Sequence, residues 1–160
     1  MRVEYINPFV EGAFSVLKDV LIGTEVKRGD LYLKSSSMQI QGVAALVGLA
    51  GDVEGRVLFD MTKDTALAVA SGMNGEEMKV VDDMVKATIT ELANMITAQA
   101  VTKLHDLGFK FDLTPPALFT GDNMEISNNL EVEALIVPME VGPGGKHGKI
   151  EINVVIRERG

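Results

Sequence analysis

The chain has no cysteine and no tryptophan, and only two tyrosines and two histidines in 160 residues. Without cysteine there is no disulfide, no thiolate nucleophile and no cysteine-held metal. That absence fits a cytoplasmic protein. His105 and His147 stand far apart, without metal-ligand spacing, so each reads as a surface side chain and no metal site is expected. No apolar run reaches the roughly eighteen residues that a membrane helix needs. The N-terminal stretch MRVEYINPF lacks the apolar centre of a secretory signal, so export is not expected. Aromatic residues make up 5% of the chain against nine methionines, which points to an aliphatic, adaptable core. Positive charge is also short. Fifteen Lys and Arg face 23 Asp and Glu, for a net charge of −8, which speaks against nucleic acid or anionic lipid as a partner.

What is present suffices for one domain over residues 1–160 with a proper core. Asn7-Pro8 reads as the cap and first position of a helix carrying Phe9, Ala13, Val16, Leu17, Val20 and Leu21, ended by Gly23. Short extended segments follow around Gly29-Asp30, then a Ser35–Ser37 loop. The apolar segment Met38–Ala50, a turn over Gly51–Gly55 and the strand Gly55–Met61 read as an antiparallel hairpin. Its glycines form neither GxGxxG nor a P-loop, so turn and bulge chemistry explains them better. Thr62 or Asp64 caps a second helix closed by Asn74-Gly75.

Beyond the long helix described next, Pro115-Pro116 belongs at an edge or in an extended loop. Gly121–Asn123 and Ser127–Asn129 are turns. Glu131–Val141 and Lys149–Arg157 alternate as strands, joined by a flexible loop over Gly142–Gly148. That loop joins strand to strand, so it is a poor phosphate cradle. Both strands leave edges that need pairing or cover. The order gives an α+β fold: a largely antiparallel sheet with long helices packed on it.

The longest periodic stretch is Val81–Asp106, VDDMVKATITELANMITAQAVTKLHD. Val81, Val85, Ile89, Leu92, Ile96, Ala100 and Leu104 recur at helical spacing and define a buried face. Gly108 stops the helix and His105 sits in its last turn. The opposite face carries Asp83, Ala87, Glu91, Asn94, Ala98 and Val101, with Met84 and Met95 on its border. A solvated helix face normally shows Lys and Glu in pairs. Asn is a poor helix-interior residue because its amide competes for backbone groups. An arbitrary E-x-x-N is ordinarily just two exposed side chains. Here Glu91 and Asn94 project together, and Ala87 and Ala98, one turn to either side, let another surface approach.

Four segments, YINPFVEGAFSVL, VGLAGDVEGRVLFDM, TALAVASGMNG and ELANMITAQAVTKL, together resemble the CheX branch of the CheC/CheX/FliY family of chemotaxis phosphatases. The resemblance covers nearly the whole chain and implies a CheC/CheX-like fold. The family signature runs Asp or Ser, three residues, Glu, two residues, Asn, then a Pro some twenty-odd residues on. Glu91 and Asn94 match it, and Pro116, twenty-two positions after Asn94, matches the Pro. Ala87 stands where the family prefers Asp or Ser. A single E-x-x-N helix points to CheX, which forms homodimers, rather than to CheC with its two copies. A dimer burying apolar strand surface is therefore expected.

The resemblance implies a phosphatase acting on the phospho-aspartate of a CheY-like receiver domain. Asn94 would hold the attacking water by donor and acceptor contacts, and Glu91 would pair with the receiver's active-site lysine. Met84, Ala87, Met95, Ala98 and Pro116 would line the docking surface. The Mg²⁺ would belong to the receiver, with no cofactor on this chain. The alternative is a non-catalytic module of the same fold that docks on a receiver or another signalling partner. A purely structural dimer is a third possibility.

Overall fold

The structure, a computed structural model, describes residues 3–34, 38–127 and 133–158. Three helices, α1 (Val3–Val20), α2 (Lys63–Asn74) and α3 (Asp83–Asp106), pack on an antiparallel sheet. The main sheet is built on β1 (Val26–Arg28), β9 (Ala134–Val141), β10 (Lys149–Glu158), β5 (Val53–Met61), β4 (Val43–Gly51) and β6 (Phe111–Leu113), adjacent in that order. β2 (Tyr32–Lys34) extends the β1 side by pairing with β9, and β7 (Ala117–Thr120) pairs with β4 beyond β6. A separate two-residue pairing joins β3 (Met38–Gln39) to β8 (Glu125–Ile126). This is the α+β architecture that the sequence predicts.

Strand alternation decides which side chains meet the helices. Ile150, Ile152, Val154 and Ile156 of β10, Val57, Phe59 and Met61 of β5, and Val137 and Met139 of β9 join one core with Phe9, Leu17, Ala66, Val69, Ile89, Leu92 and Ile96 of the helices. The other face is also buried in its middle. Ala44 and Leu58 pack with Ile40 beneath Phe119, Met124 and Ile126, and Ala134, Ile136 and Val155 form a third cluster.

Several expectations change. Residues Asn7-Pro8 do not open α1: the helix is already formed at Val3, Pro8 lies inside it, and Tyr5 extends the buried stripe upstream of Phe9. Buried packing of Tyr5 and Pro8 outweighs the local cap signal. Met38–Ala50 is not one strand, because Met38–Gln39 pairs away with β8. The hairpin is tighter than the expected turn, since Leu49 already faces Gly55 and only Asp52 separates β4 from β5. Asp52 ties that tip to the far side by exchanging hydrogen bonds with Lys110, backbone N–H to carbonyl one way and backbone N–H to carboxylate the other. Residues 142–148 form a hydrogen-bonded turn, in which Gly142 N–H donates to the Glu25 carbonyl and His147 N–H to the Val141 carbonyl. The strands 131–141 and 149–157 are not edges: β10 lies between β5 and β9, and β1 and β2 cover β9. The edges fall to β1, β2, β6 and β7 instead. The predicted Ser35–Ser37 loop, the start of the 131–141 strand and residues 128–129 lie outside the described residues.

Two glycines mark close approaches. Gly12 lets α1 lie on α3, where a Cβ would meet the Ile96 carbonyl oxygen at 3.3 Å. Gly55 sits at φ 154°, and a Cβ there would fall 1.8 Å from the Val155 carbonyl oxygen. Gly55→Ala therefore forces β5 away from β10 and is expected to cost about 3 kcal/mol or more. Gly75, the left-handed C-cap of α2 at φ 69°, has open space around it. There alanine costs only about 1–2 kcal/mol. Urea denaturation of the two variants checks this; equal costs would refute it.

Candidate functional site

The site rests on α3. Asp82 caps the helix by accepting a hydrogen bond from Val85 N–H at 3.0 Å. The expected start at Val81 moves to Asp83 because this cap is a better terminus than an uncapped valine. Val85, Ile89, Leu92, Ile96, Ala100 and Leu104 are buried as predicted. Each large side chain among them contributes on the order of 2 kcal/mol through apolar burial. Together they fix the rotation of the helix about its axis. Val101, expected outside, is buried at 8% exposure, because α3 is also walled on that flank.

Fixing the rotation decides what faces out. Asp83, Ala87, Glu91, Asn94 and Ala98 are exposed, and Met84 keeps 53% of its surface. Met95 is half-buried, as is Pro116, just before β7. The structure thus places Met84, Ala87, Glu91, Asn94, Met95 and Ala98 along the outward side of α3, while Pro116 lies in the link between β6 and β7, both of which pair with β4. Among the described residues, the side chains of Glu91 and Asn94 make no hydrogen bond or ion pair. Both are free to engage something outside the chain.

Four threonines in α3 are committed to the helix itself. Thr88, Thr90, Thr97 and Thr102 donate to the carbonyls of Met84, Lys86, Ala93 and Ala98 at 2.7–3.0 Å. Back-bonding of this kind satisfies hydroxyls in a helix interior. It also leaves them poorly suited to act as nucleophiles. His105 lies eleven residues beyond Asn94, about 16 Å along the axis, with its Nε2 within 3.3 Å of the Phe111 carbonyl. What remains beside Asn94 is one carboxylate and one carboxamide, a set suited to positioning another molecule's groups rather than to covalent attack.

Sequence reasoning missed the brace behind this strip. Asn74, read only as a helix stop, donates from Nδ2 to the Ala70 carbonyl at 2.8 Å and to Thr88 Oγ1 at 2.9 Å. It pins the end of α2 to α3 one turn before Glu91. Only the folded arrangement shows it, because the two residues sit on different helices.

Groups with displaced titration lie elsewhere, on the sheet face away from the helices. Asp60 of β5 directly faces Glu151 of β10 in register, and Asp60 is fully buried. Burial pushes its pKa up. Two hydrogen bonds from Gln41, backbone N–H at 3.0 Å and side-chain amide at 3.1 Å, pull it back, and Glu151 raises it again. Tyr32 is raised by burial and by Glu151, whose carboxylate accepts its hydroxyl at 3.2 Å. Arg56 is lowered by burial, and its Nη1 donates to Asn153 Oδ1 at 3.1 Å. Perturbed groups often mark active sites. Asp60, Arg56 and Glu151 are buried in the sheet face, and the hydrogen bonds from exposed Tyr32 and Gln41 tie β2 and the Gln41 segment to it, a structural role.

The chain thus carries an outward helix strip with an unengaged Glu-x-x-Asn pair on an α+β scaffold. Comparison with known proteins shows the family. The family model for chemotaxis phosphatase CheX matches residues 43–140. The chain is 30% identical over 129 residues to the CheY-P phosphatase CheX of Thermotoga maritima, covering 80% of this chain and 83% of that protein. The crystal structure of the CheX–CheY–BeF3–Mg²⁺ complex from Borrelia burgdorferi aligns at 49% identity, 98% and 100% coverage and a TM-score of 0.83. A CheC-like superfamily protein from Shewanella sp. PV-4 aligns at 28% identity, 98% and 99% coverage and a TM-score of 0.85. The chain belongs to the CheX family of chemotaxis phosphatases.

Asp60 gives a test of the reading of the sheet's far face. A raised folded-state pKa means that its stabilising contribution is full below its unfolded value and is lost as pH rises through the folded value. Asp60→Asn keeps the hydrogen bonds to Gln41 after an amide flip and removes the charge. Its stability relative to the parent, from urea midpoints, should rise as pH climbs above the ordinary aspartate value of about 4. A difference that is flat or falling with pH would refute the assignment.

Proposed function

We propose that this chain is a phosphatase for the aspartyl phosphate of a CheY-like receiver domain. The observation that carries this is the pair of free side chains, Glu91 and Asn94, held outward on a helix whose rotation is fixed by its buried face. Both match the family signature, and a relative that aligns over nearly the whole chain was crystallised with CheY.

The chemistry asks little of the chain. An aspartyl phosphate already has a good leaving group. Hydrolysis requires water to attack phosphorus in line, the P–O bond to the aspartate to break, and the carboxylate to leave with the bonding electrons. The Asn94 carboxamide can hold the attacking water with one donor and one acceptor contact. Orientation of that kind lowers a barrier by several kcal/mol. Glu91 pairs with the receiver's active-site lysine and sets the depth of entry. Ala87 and Ala98 let the helix enter as a wedge, with Met84, Met95 and Pro116 on the contact surface. The Mg²⁺ belongs to the receiver: a lone carboxylate on this strip is a poor match for the near-octahedral oxygen shell that Mg²⁺ demands.

Ala87 favours a second reading, a docking module without turnover, because it replaces the family's Asp or Ser beside the wedge. Asn94→Ala separates the two. By propensity it is neutral or stabilising in a helix interior, by up to about half a kcal/mol. Receiver binding should persist, and phosphate release should fall by about two orders of magnitude or more. Glu91→Ala should weaken both binding and turnover. Unchanged phosphate release without Asn94 leaves the docking reading standing.

The working unit in this proposal is a homodimer of one-domain chains. The strand β2 supports it: among the described residues it pairs only with β9, and Leu33 is 60% and Tyr32 40% exposed. Light scattering at micromolar concentration should give twice the chain mass. A monomer would contradict it.

A further inference from the structure

A shallow hollow of about 340 Å³ runs between α1 and α3, lined by Val16, Asp19, Met95, Ala98, Gln99 and Thr102. It begins one turn from Asn94, since Ala98 stands four residues on. It ends near Thr102, about 12 Å along the axis from Asn94. A receiver with its phosphoryl group against Asn94 must lie across it.

The walls and the charge select the occupant. Val16, Met95 and Ala98 offer an apolar channel that suits an aliphatic stem. Several charged groups on the flanking helices are engaged: Glu11 pairs with Lys103, and the Lys18 ammonium lies over the Phe14 ring, 5.2 Å from its centroid. Asp19 lines the hollow and, among the described residues, makes no hydrogen bond or ion pair. Its position adds a second argument. Asp19 is the penultimate residue of α1, where the helix dipole disfavours a carboxylate and favours a cation. Helix stability does not account for it.

We infer that this hollow takes a lysine or arginine of the receiver, its stem on Val16, Met95 and Ala98 and its cationic head on Asp19. The contact is a second anchor beside Glu91. It rests on the proposed function, and it adds a requirement: the receiver carries a basic side chain about 12 Å or less from its phosphorylation site along the line of α3. Asp19 touches no reacting atom, so it acts on docking and not on the chemical step.

The test uses full-length protein and CheY of Borrelia burgdorferi, loaded with BeF3 and Mg²⁺ for binding and phosphorylated for turnover. Asp19→Asn should weaken binding about fivefold at low salt, and Asp19→Lys about twentyfold or more. The salt dependence of affinity should fall in both variants. Phosphate release at saturating receiver should stay at the parent rate. Neither change opposes folding, because a neutral or cationic residue suits a helix C-terminus better. If Asp19→Lys binds as the parent does while Asn94→Ala loses turnover, the inference fails and the proposed function stands. If the parent neither binds nor dephosphorylates this receiver, both fall.

Discussion

The seam between α3, α1 and the sheet is the constraint on which the rest depends. Ile89, Leu92 and Ile96 are buried in the core that α3 shares with α1 and the sheet, and the approach of the two helices is close because Gly12 has no side chain to hold them apart. A helix turns about 100° per residue. A slip of one residue in this seam would carry Asn94 toward the core and bring a branched aliphatic side chain to the surface. The orientation of Glu91 and Asn94 follows from apolar packing that never touches them. The Asn74–Thr88 link and the Asp82 cap hold the N-terminal half of the helix against the same motion.

The molecule keeps its two kinds of polar chemistry apart. On the far face of the sheet, Asp60, Glu151 and Arg56 are buried; Asp60 accepts from Gln41, Glu151 accepts from Tyr32, and Arg56 donates to Asn153. Removing either partner there would leave a buried group unsatisfied, which costs more than a hydrogen bond gains. On the helix face, Glu91 and Asn94 are solvated and unengaged, so they cost the fold little. This separation suits a protein that supplies orientation to another molecule's reaction.

Much of the site could be read from one stretch of chain. The buried stripe of α3, the outward Glu91 and Asn94, the small flanking Ala87 and Ala98, and the cap and stop signals of α2 are local facts. They depend on spacing within a few turns, and the helix repeat converts spacing into direction. Pro116 was placed beside the site by family signature, not by pattern. The start of α1 was misread because Asn-Pro is a good local cap signal, and the burial of Tyr5, Pro8 and Phe9 against distant elements overrode it.

The sequence by itself determined the buried stripes of α3 and β10, because side-chain direction is a property of the local backbone repeat. The tertiary structure decided what lies across from them. It set Asp60 opposite Glu151, made β10 an interior strand, buried Val101 on a nominally outer face, and brought Asp19 of α1 beside Ala98 of α3. These are pairings between residues far apart in the chain, fixed by the joint packing of several elements, and no single stretch encodes them.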